Sequence, residues 1–138
     1  MKAGIQSWLT KAGDTSCFAL NIIEAGRPGC SDETAVYFMN QAQTAGLLAD
    51  NFLVRNNAKM MELVEGGVWK CRIEPADYMP KPDEISIEHW AYTHETSGYH
   101  EHFALRRADG TLFDSLGNSQ TLKRGKCIDK RIFTREAL

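Results

Sequence analysis

Three residue types that together make a nucleophilic site stand at element boundaries in this chain: Cys17, His102 and Asp114. Cys17 follows the turn-forming run Gly13-Asp14-Thr15-Ser16 and opens an apolar, helix-compatible stretch, Phe18-Ala19-Leu20. His102 stands at the mouth of a short strand, Phe103-Ala104-Leu105, and Asp114 closes the next one, after Leu112-Phe113. A thiol becomes an effective nucleophile when an imidazole takes its proton and a carboxylate holds that imidazole in one orientation. A cysteine at a helix start also feels the positive end of the helix dipole, which favours thiolate over thiol. The plainer readings are a buried structural cysteine at 17 and a polar strand-end residue at 102.

The elements that must position these groups can be read from caps, periodicity and turns. Asp14, Thr15 or Ser16 can cap a buried helix over residues 16–25, which Gly26-Arg27-Pro28-Gly29 stops. Ser31 or Asp32 starts a second helix with the stripe Val36, Phe38, Met39, Ala42 and Ala45, ending at Gly46. A third, short helix covers 58–65 before Gly66-Gly67. Before the first helix, the stretch from Ile5 to Leu9 reads as a strand or turn.

After Gly67 the period changes from helical to alternating. Strands are expected at 68–73, 85–92, 102–107, 112–114 and 130–134, with a proline-containing loop at 74–84 and a polar loop at 95–101. Helices first and strands second predict an α+β fold, N-terminal helices packed against a C-terminal antiparallel sheet. Asp109-Gly110 between apolar runs is a strong hairpin signal. A two-residue turn there sets His102 against approximately Gly117 and leaves Asp114 near Leu105, off target. A bulge, a different register or a longer loop would have to bring Asp114 to His102, or Asn118 takes the orienting place instead.

Composition narrows the function classes. The 138 residues are 43% hydrophobic and 25% charged, which suits a single globular domain spanning 1–138. A net charge of −2 disfavours nucleic acid or an anionic membrane as partner. The basic cluster Lys123, Arg124, Lys126, Lys130 and Arg131 reads as a solvated turn and strand edge. The N-terminal residues lack a signal-peptide pattern, and no apolar run is long enough to span a bilayer, so a cytoplasmic location is expected. Cys17, Cys30, Cys71 and Cys127 contain no CxxC pair, so they are expected as free thiols, all but Cys17 acting as small buried hydrophobes.

His89, His94, His100 and His102 fall close together, and His100-Glu101-His102 puts two imidazoles on one strand face. A metal site of that kind wants a carboxylate about four residues on, where Arg106 stands. No metal and no cofactor are therefore expected, with His94 the rival to His102 as base.

The order Cys…His…Asp, with the words His-Phe-Ala-Leu, Phe-Asp-Ser-Leu-Gly-Asn-Ser-Gln-Thr and Gly-Lys-Cys-Ile-Asp-Lys-Arg-Ile-Phe, resembles the papain-like cysteine peptidase superfamily. The likeness is to compact bacterial and phage-type members, similar to bacteriocin-leader-peptidase-like and NlpC-type groups. It implies a papain-like fold, Cys17 as nucleophile, His102 as general base and Asp114 as orienting acid. It also implies Gln6 as a side-chain donor to the oxyanion, beside the backbone N–H of Cys17. Phe18 departs from the resemblance, because many leader-peptidase relatives carry glycine there, and so do Arg106 and Arg107.

The leading expectation is a cysteine hydrolase acting on a peptide, isopeptide or muropeptide amide bond, with a peptide or protein substrate as partner. Trp8, Phe18, Trp90 and Tyr99 are the expected walls of a shallow pocket around Cys17. The competing expectations are a non-catalytic binding or inhibitor module on the same scaffold and, third, a metal-dependent enzyme using the histidine cluster.

Overall fold

Side-chain caps set two of the helix starts. Ser31 Oγ accepts the Thr34 N–H at 3.1 Å and opens α3, Asp32–Thr44. Asn56 Oδ1 accepts the Lys59 N–H at 3.0 Å and opens α4, Asn57–Glu65. Such caps satisfy amide groups that the helix itself leaves unpaired. The computed structural model describes residues 1–8 and 16–137. Within them α1 is Ile5–Trp8 and α2 is Cys17–Gly26. The stretch expected as strand or turn thus begins as one helical turn. Ser16 is the N-cap residue of α2 but makes no side-chain cap bond, and Asp14 and Thr15 lie outside the described residues.

The strands are β1 Trp69–Pro75, β2 Ile85–His94, β3 Gly98–Arg106, β4 Leu112–Phe113 and β5 Lys126–Arg135, with the short helix α5 at Gln120–Arg124. They form one antiparallel sheet in the order β1-β5-β2-β3-β4. The fold is α+β, as the order of elements predicts. Two expectations need correction. Residues 98–101 belong to β3 rather than to a loop, because β2 and β3 pair as far as His94 and Gly98. The C-terminal basic residues line no sheet edge, since β5 lies inside the sheet between β1 and β2. Lys130 Nζ donates to the Tyr78 carbonyl at 2.8 Å, and Arg131 pairs with Asp129.

Strand alternation gives the sheet two different faces. Ile87, Leu105, Phe113 and Phe133 join Leu20, Ile22, Ile23, Met60, Met61 and Val64 of α2 and α4 in the core. Glu88, Trp90, His102 and Ala104 alternate onto the other face, where α5 packs against β2 and β3. Five residues are too few for α5 to show a hydrophobic period in the sequence. Gly125 closes α5 in a tight place: a Cβ there would lie 2.5 Å from the Thr121 carbonyl oxygen and 2.6 Å from that of Ala91. Both obstacles are backbone and cannot rotate away. Gly125→Ala should therefore cost about 2 kcal/mol or more, seen as a lower urea midpoint with an unchanged slope.

The β3–β4 hairpin decides where Asp114 goes. Arg107 N–H donates to the Thr111 carbonyl at 2.8 Å, which leaves Ala108, Asp109 and Gly110 as a three-residue loop with Gly110 at φ +89°. That is a turn followed by a left-handed glycine, not the two-residue turn centred on Asp109-Gly110. The register becomes Leu105 against Phe113 and Arg106 against Leu112. Continued by one residue, it sets Asp114 against Ala104, on the face that carries His102. A slip of one residue moves a side chain to the opposite face, so of the expected alternatives the longer loop is the one that brings Asp114 to that face.

Candidate active site

Cys17 is the first residue of α2 and only 5% exposed. Asn21, one turn on and on the same helix face, ties this end of α2 to the sheet. Its Nδ2 donates to the Cys17 carbonyl at 2.6 Å and to the Phe103 carbonyl at 2.9 Å, and its Oδ1 accepts the Leu105 N–H at 2.6 Å. Phe103 lies beyond the β4 pairing, which covers Leu105 and Arg106, so Asn21 takes up the edge of β3 where β4 ends. The helix carrying Cys17 is thereby fixed against the strand carrying His102. Asn21 has no assigned role in the sequence reading. Its signal was there: a lone amide inside the apolar run Phe18-Ala19-Leu20-Asn21-Ile22-Ile23, one turn from the cysteine.

His102 is 3% exposed, is hydrogen-bonded to Asp114, and lies close enough to Cys17 for the thiol to favour its charged form. Its Nε2 meets Asp114 Oδ1 at 2.8 Å, which leaves Nδ1 as the other ring nitrogen. Asp114 is held in turn by backbone: Oδ1 accepts the Leu116 N–H at 3.0 Å and Oδ2 the Ser119 N–H at 2.8 Å. Burial works against the charged form of His102, but its bonds to Asp114 and Cys17 and the charges of both outweigh it and carry the pKa up to about 9. Burial likewise opposes charge on Asp114, yet its bonds from His102, Ser119 and Leu116 hold the carboxyl below its usual range. At neutral pH the imidazole is charged and lies between sulfur and carboxylate.

Asn118 does not share in this. It is exposed, and its Oδ1 accepts a bond from Lys123 Nζ. Asp114 rather than Asn118 bonds His102, because the observed hairpin register delivers it to that face. Gln6, 3% exposed, lies beside the same segment: its N–H donates to the Ser115 carbonyl at 2.8 Å, and its Oε1 accepts from Ser115 Oγ at 2.6 Å.

The expected aromatic walls divide. Trp90 is half-buried and directly opposite His102 across the β2–β3 pair, with its Nε1 donating to Glu88 at 3.0 Å. Phe18 packs its ring on Phe103 at 4.8 Å and so belongs to the margin of the core. Tyr99 is 59% exposed, and the side chain of Trp8 lies outside the described residues. A cavity of about 920 Å³, lined by Glu24, Pro28, Pro80, Ser86 and Arg107 among others, opens by the far end of α2 from Cys17.

The other histidines have separate partners. His89 lies between Glu101 at 2.8 Å and Asp129 at 3.4 Å, stacked on Phe103. His94 accepts from Thr96, and His100 bonds Ser97 Oγ at 2.7 Å while stacking on Tyr92. Among the described residues no three His, Cys, Asp or Glu side chains stand as a metal-holding group.

All four cysteines are free thiols. Contrary to expectation, Cys17 is the buried one, and Cys30, Cys71 and Cys127 are half-buried. Burial is the leading cause that pushes those three thiols above their ordinary pKa.

A family model described as "Protein of unknown function, DUF261" matches residues 31–135. The chain belongs to the DUF261 family. The DUF261 match takes in His102 and Asp114, whereas Cys17 and Gln6 precede it. No curated protein and no solved structure matches the chain. No helix among the described residues is long and apolar enough to cross a membrane.

Proposed function

We propose that the protein is a papain-like cysteine hydrolase, a peptidase or amidase that cleaves an amide bond in a peptide, isopeptide or muropeptide. One observation carries the reading: a buried imidazole bonded to a backbone-held carboxylate and within electrostatic reach of a helix-opening cysteine. A histidine serving only to fill the core needs neither partner. The arrangement of a helix-borne thiol against a strand-borne imidazole also favours the papain-like form of the fold. Free thiols suit a reducing, cytoplasmic setting.

In this reading the Cys17 sulfur attacks the substrate carbonyl carbon, and the C=O π pair moves onto oxygen. The backbone N–H of Cys17 and the Gln6 amide supply donors to that oxyanion. As the carbonyl re-forms, the C–N bond breaks and His102 gives its proton to the departing amine. Water then attacks the thioester, His102 takes a water proton, and the acid product leaves with the sulfur restored. Asp114 keeps the ring aimed throughout and stabilises its charged form.

Alkylation tests this against a binding module on the same scaffold. At pH 6.5 iodoacetamide should label Cys17 at least about tenfold faster than Cys30, Cys71 or Cys127, followed by peptide mass mapping. Exposure alone predicts the reverse order, because Cys17 is the most buried of the four. Equal labelling, or none at Cys17, sinks the hydrolase.

A further inference from the structure

We propose that β1 is a self-pairing edge, on which a second copy of this chain docks antiparallel with Arg72 at the two-fold axis. β1 is an outer strand of the sheet, at the opposite edge from β4. Glu136 N–H donates to the Val68 carbonyl at 2.8 Å, continuing the register that sets Trp69 against Arg135. Backbone direction alternates along a strand, so Val68, Lys70, Arg72 and Glu74 turn their polar groups toward β5, and Trp69, Cys71, Ile73 and Pro75 turn theirs outward. Both ends of this outer edge are closed. Glu62 Oε2 takes the Trp69 N–H at 3.2 Å, and Pro75 has no N–H to give. Between them, the N–H and C=O of Cys71 and Ile73 bond no group among the described residues. An open run of this kind is a template for another strand.

One register uses everything this edge offers. With Cys71 opposite Ile73 of the second copy, the outward N–H and C=O of both residues are bonded in both chains. A two-fold pairing repeats every contact, so Lys70 stands opposite Glu74 of the second copy at two places. On the other face Ile73, 64% exposed, covers the half-buried Cys71 of the second copy. The neighbouring registers fail. One sets Cys71 on Cys71 and puts Lys70 against Arg72, like charges directly opposite. The other sets Ile73 on Ile73 and Cys71 against Pro75, whose missing N–H leaves the Cys71 carbonyl unbonded. Arg72 meets its own copy at the axis, but Glu74 and Glu84 already hold its guanidinium at 2.8 and 2.6 Å. Lys70 is free to change partner, because its ion pair with Glu136 at 3.1 Å stands in solvent, with the lysine side chain 78% exposed.

Sedimentation of the full chain and its charge variants tests the interface. The unsubstituted chain should form a dimer that dissociates on dilution, as expected of a small interface. Lys70→Glu or Glu74→Lys alone sets like charges opposite each other at two places, so each should weaken the dimer about tenfold. The double variant Lys70→Glu/Glu74→Lys should restore it. Mixing the two single variants should do the same, because each then meets its opposite charge in the other. Ile73→Pro removes an N–H that no bond within the chain uses, and should leave a folded monomer by circular dichroism and sedimentation. If that variant does not fold, the charge exchange still decides. A monomer at about 200 µM, far above a micromolar Kd, overturns the proposal and leaves the edge to a strand of another protein. So does a dimer that folded Ile73→Pro keeps, or one that the single charge variants do not weaken and the double variant does not restore. Cys17 alkylation tests the hydrolase reading separately, and neither result bears on the other.

Discussion

Replacing Asp114 by asparagine should lower the His102 titration midpoint well below 9 and slow Cys17 alkylation at pH 6.5 by about 10²-fold, within the range of a lost acid–base partner. The sign follows from the environment. Burial of His102 by itself disfavours the charged ring, and the bond and charge of Asp114 are among the causes that reverse it. Without the carboxylate, desolvation regains ground and the imidazole holds its proton less firmly. The amide is also a poor fit: its NH2 would oppose either the Ser119 N–H, 2.8 Å from Oδ2, or the donors now held by Oδ1. The pH dependence of stability gives a second check. His102, raised from 6.5 to about 9, contributes stability that is full below 6.5 and lost as pH rises through 9. Asp114, lowered from 3.8, contributes stability that is present above 3.8 and lost as pH falls through its folded value. The melting-temperature gap between the two proteins should therefore be widest between about pH 4 and 6.5. Titration by NMR of the His102 ring carbon proton is the direct test. A midpoint still near 9 in Asp114→Asn would mean that contact with Cys17 alone keeps the ring charged.

Asn21→Leu should be the most destabilising single change away from the triad, about 4 kcal/mol, given a cost of about 1–3 kcal/mol for each buried group left unpaired. Asn21 is fully buried, and its amide uses both ends. Leucine matches it roughly in volume and adds apolar surface, yet leaves the Phe103 carbonyl and the Leu105 N–H without their partner. Asn21→Asp keeps the oxygen that accepts from Leu105 but turns a second oxygen on the Cys17 and Phe103 carbonyls, so it should destabilise as well. Both variants also loosen the start of α2 against β3, and Cys17 alkylation should slow even where the fold survives. Urea unfolding followed by circular dichroism measures the first effect, and mass mapping the second. A loss below about 1 kcal/mol in Asn21→Leu would show that apolar packing alone seats the helix.

Much of this architecture is local and therefore legible in the chain. Ser31 and Asn56 can each satisfy a helix start within three residues, so α3 and α4 declare themselves before any tertiary contact forms. Alternation marks β1 and β2 for the same reason, since side-chain direction along a strand repeats every second residue. The residue types of Cys17, His102 and Asp114 are likewise legible, although His102 stands in the middle of β3 and not at its mouth.

What sequence could not decide depends on residues remote from one another. Gly110 fits a two- or a three-residue loop equally well by composition, and that one-residue difference decides whether Asp114 faces His102 or the core. Asn118 reads as a candidate until Lys123, one turn into α5, is seen to hold it in solvent. Asn21 and Ser115 gain their meaning only from groups 84 and 109 positions away. By itself the sequence determined which groups could react and which elements carry them. Only the tertiary structure decided which of those groups meet, because strand register and buried hydrogen bonds join parts of the chain whose identities place no local constraint on one another.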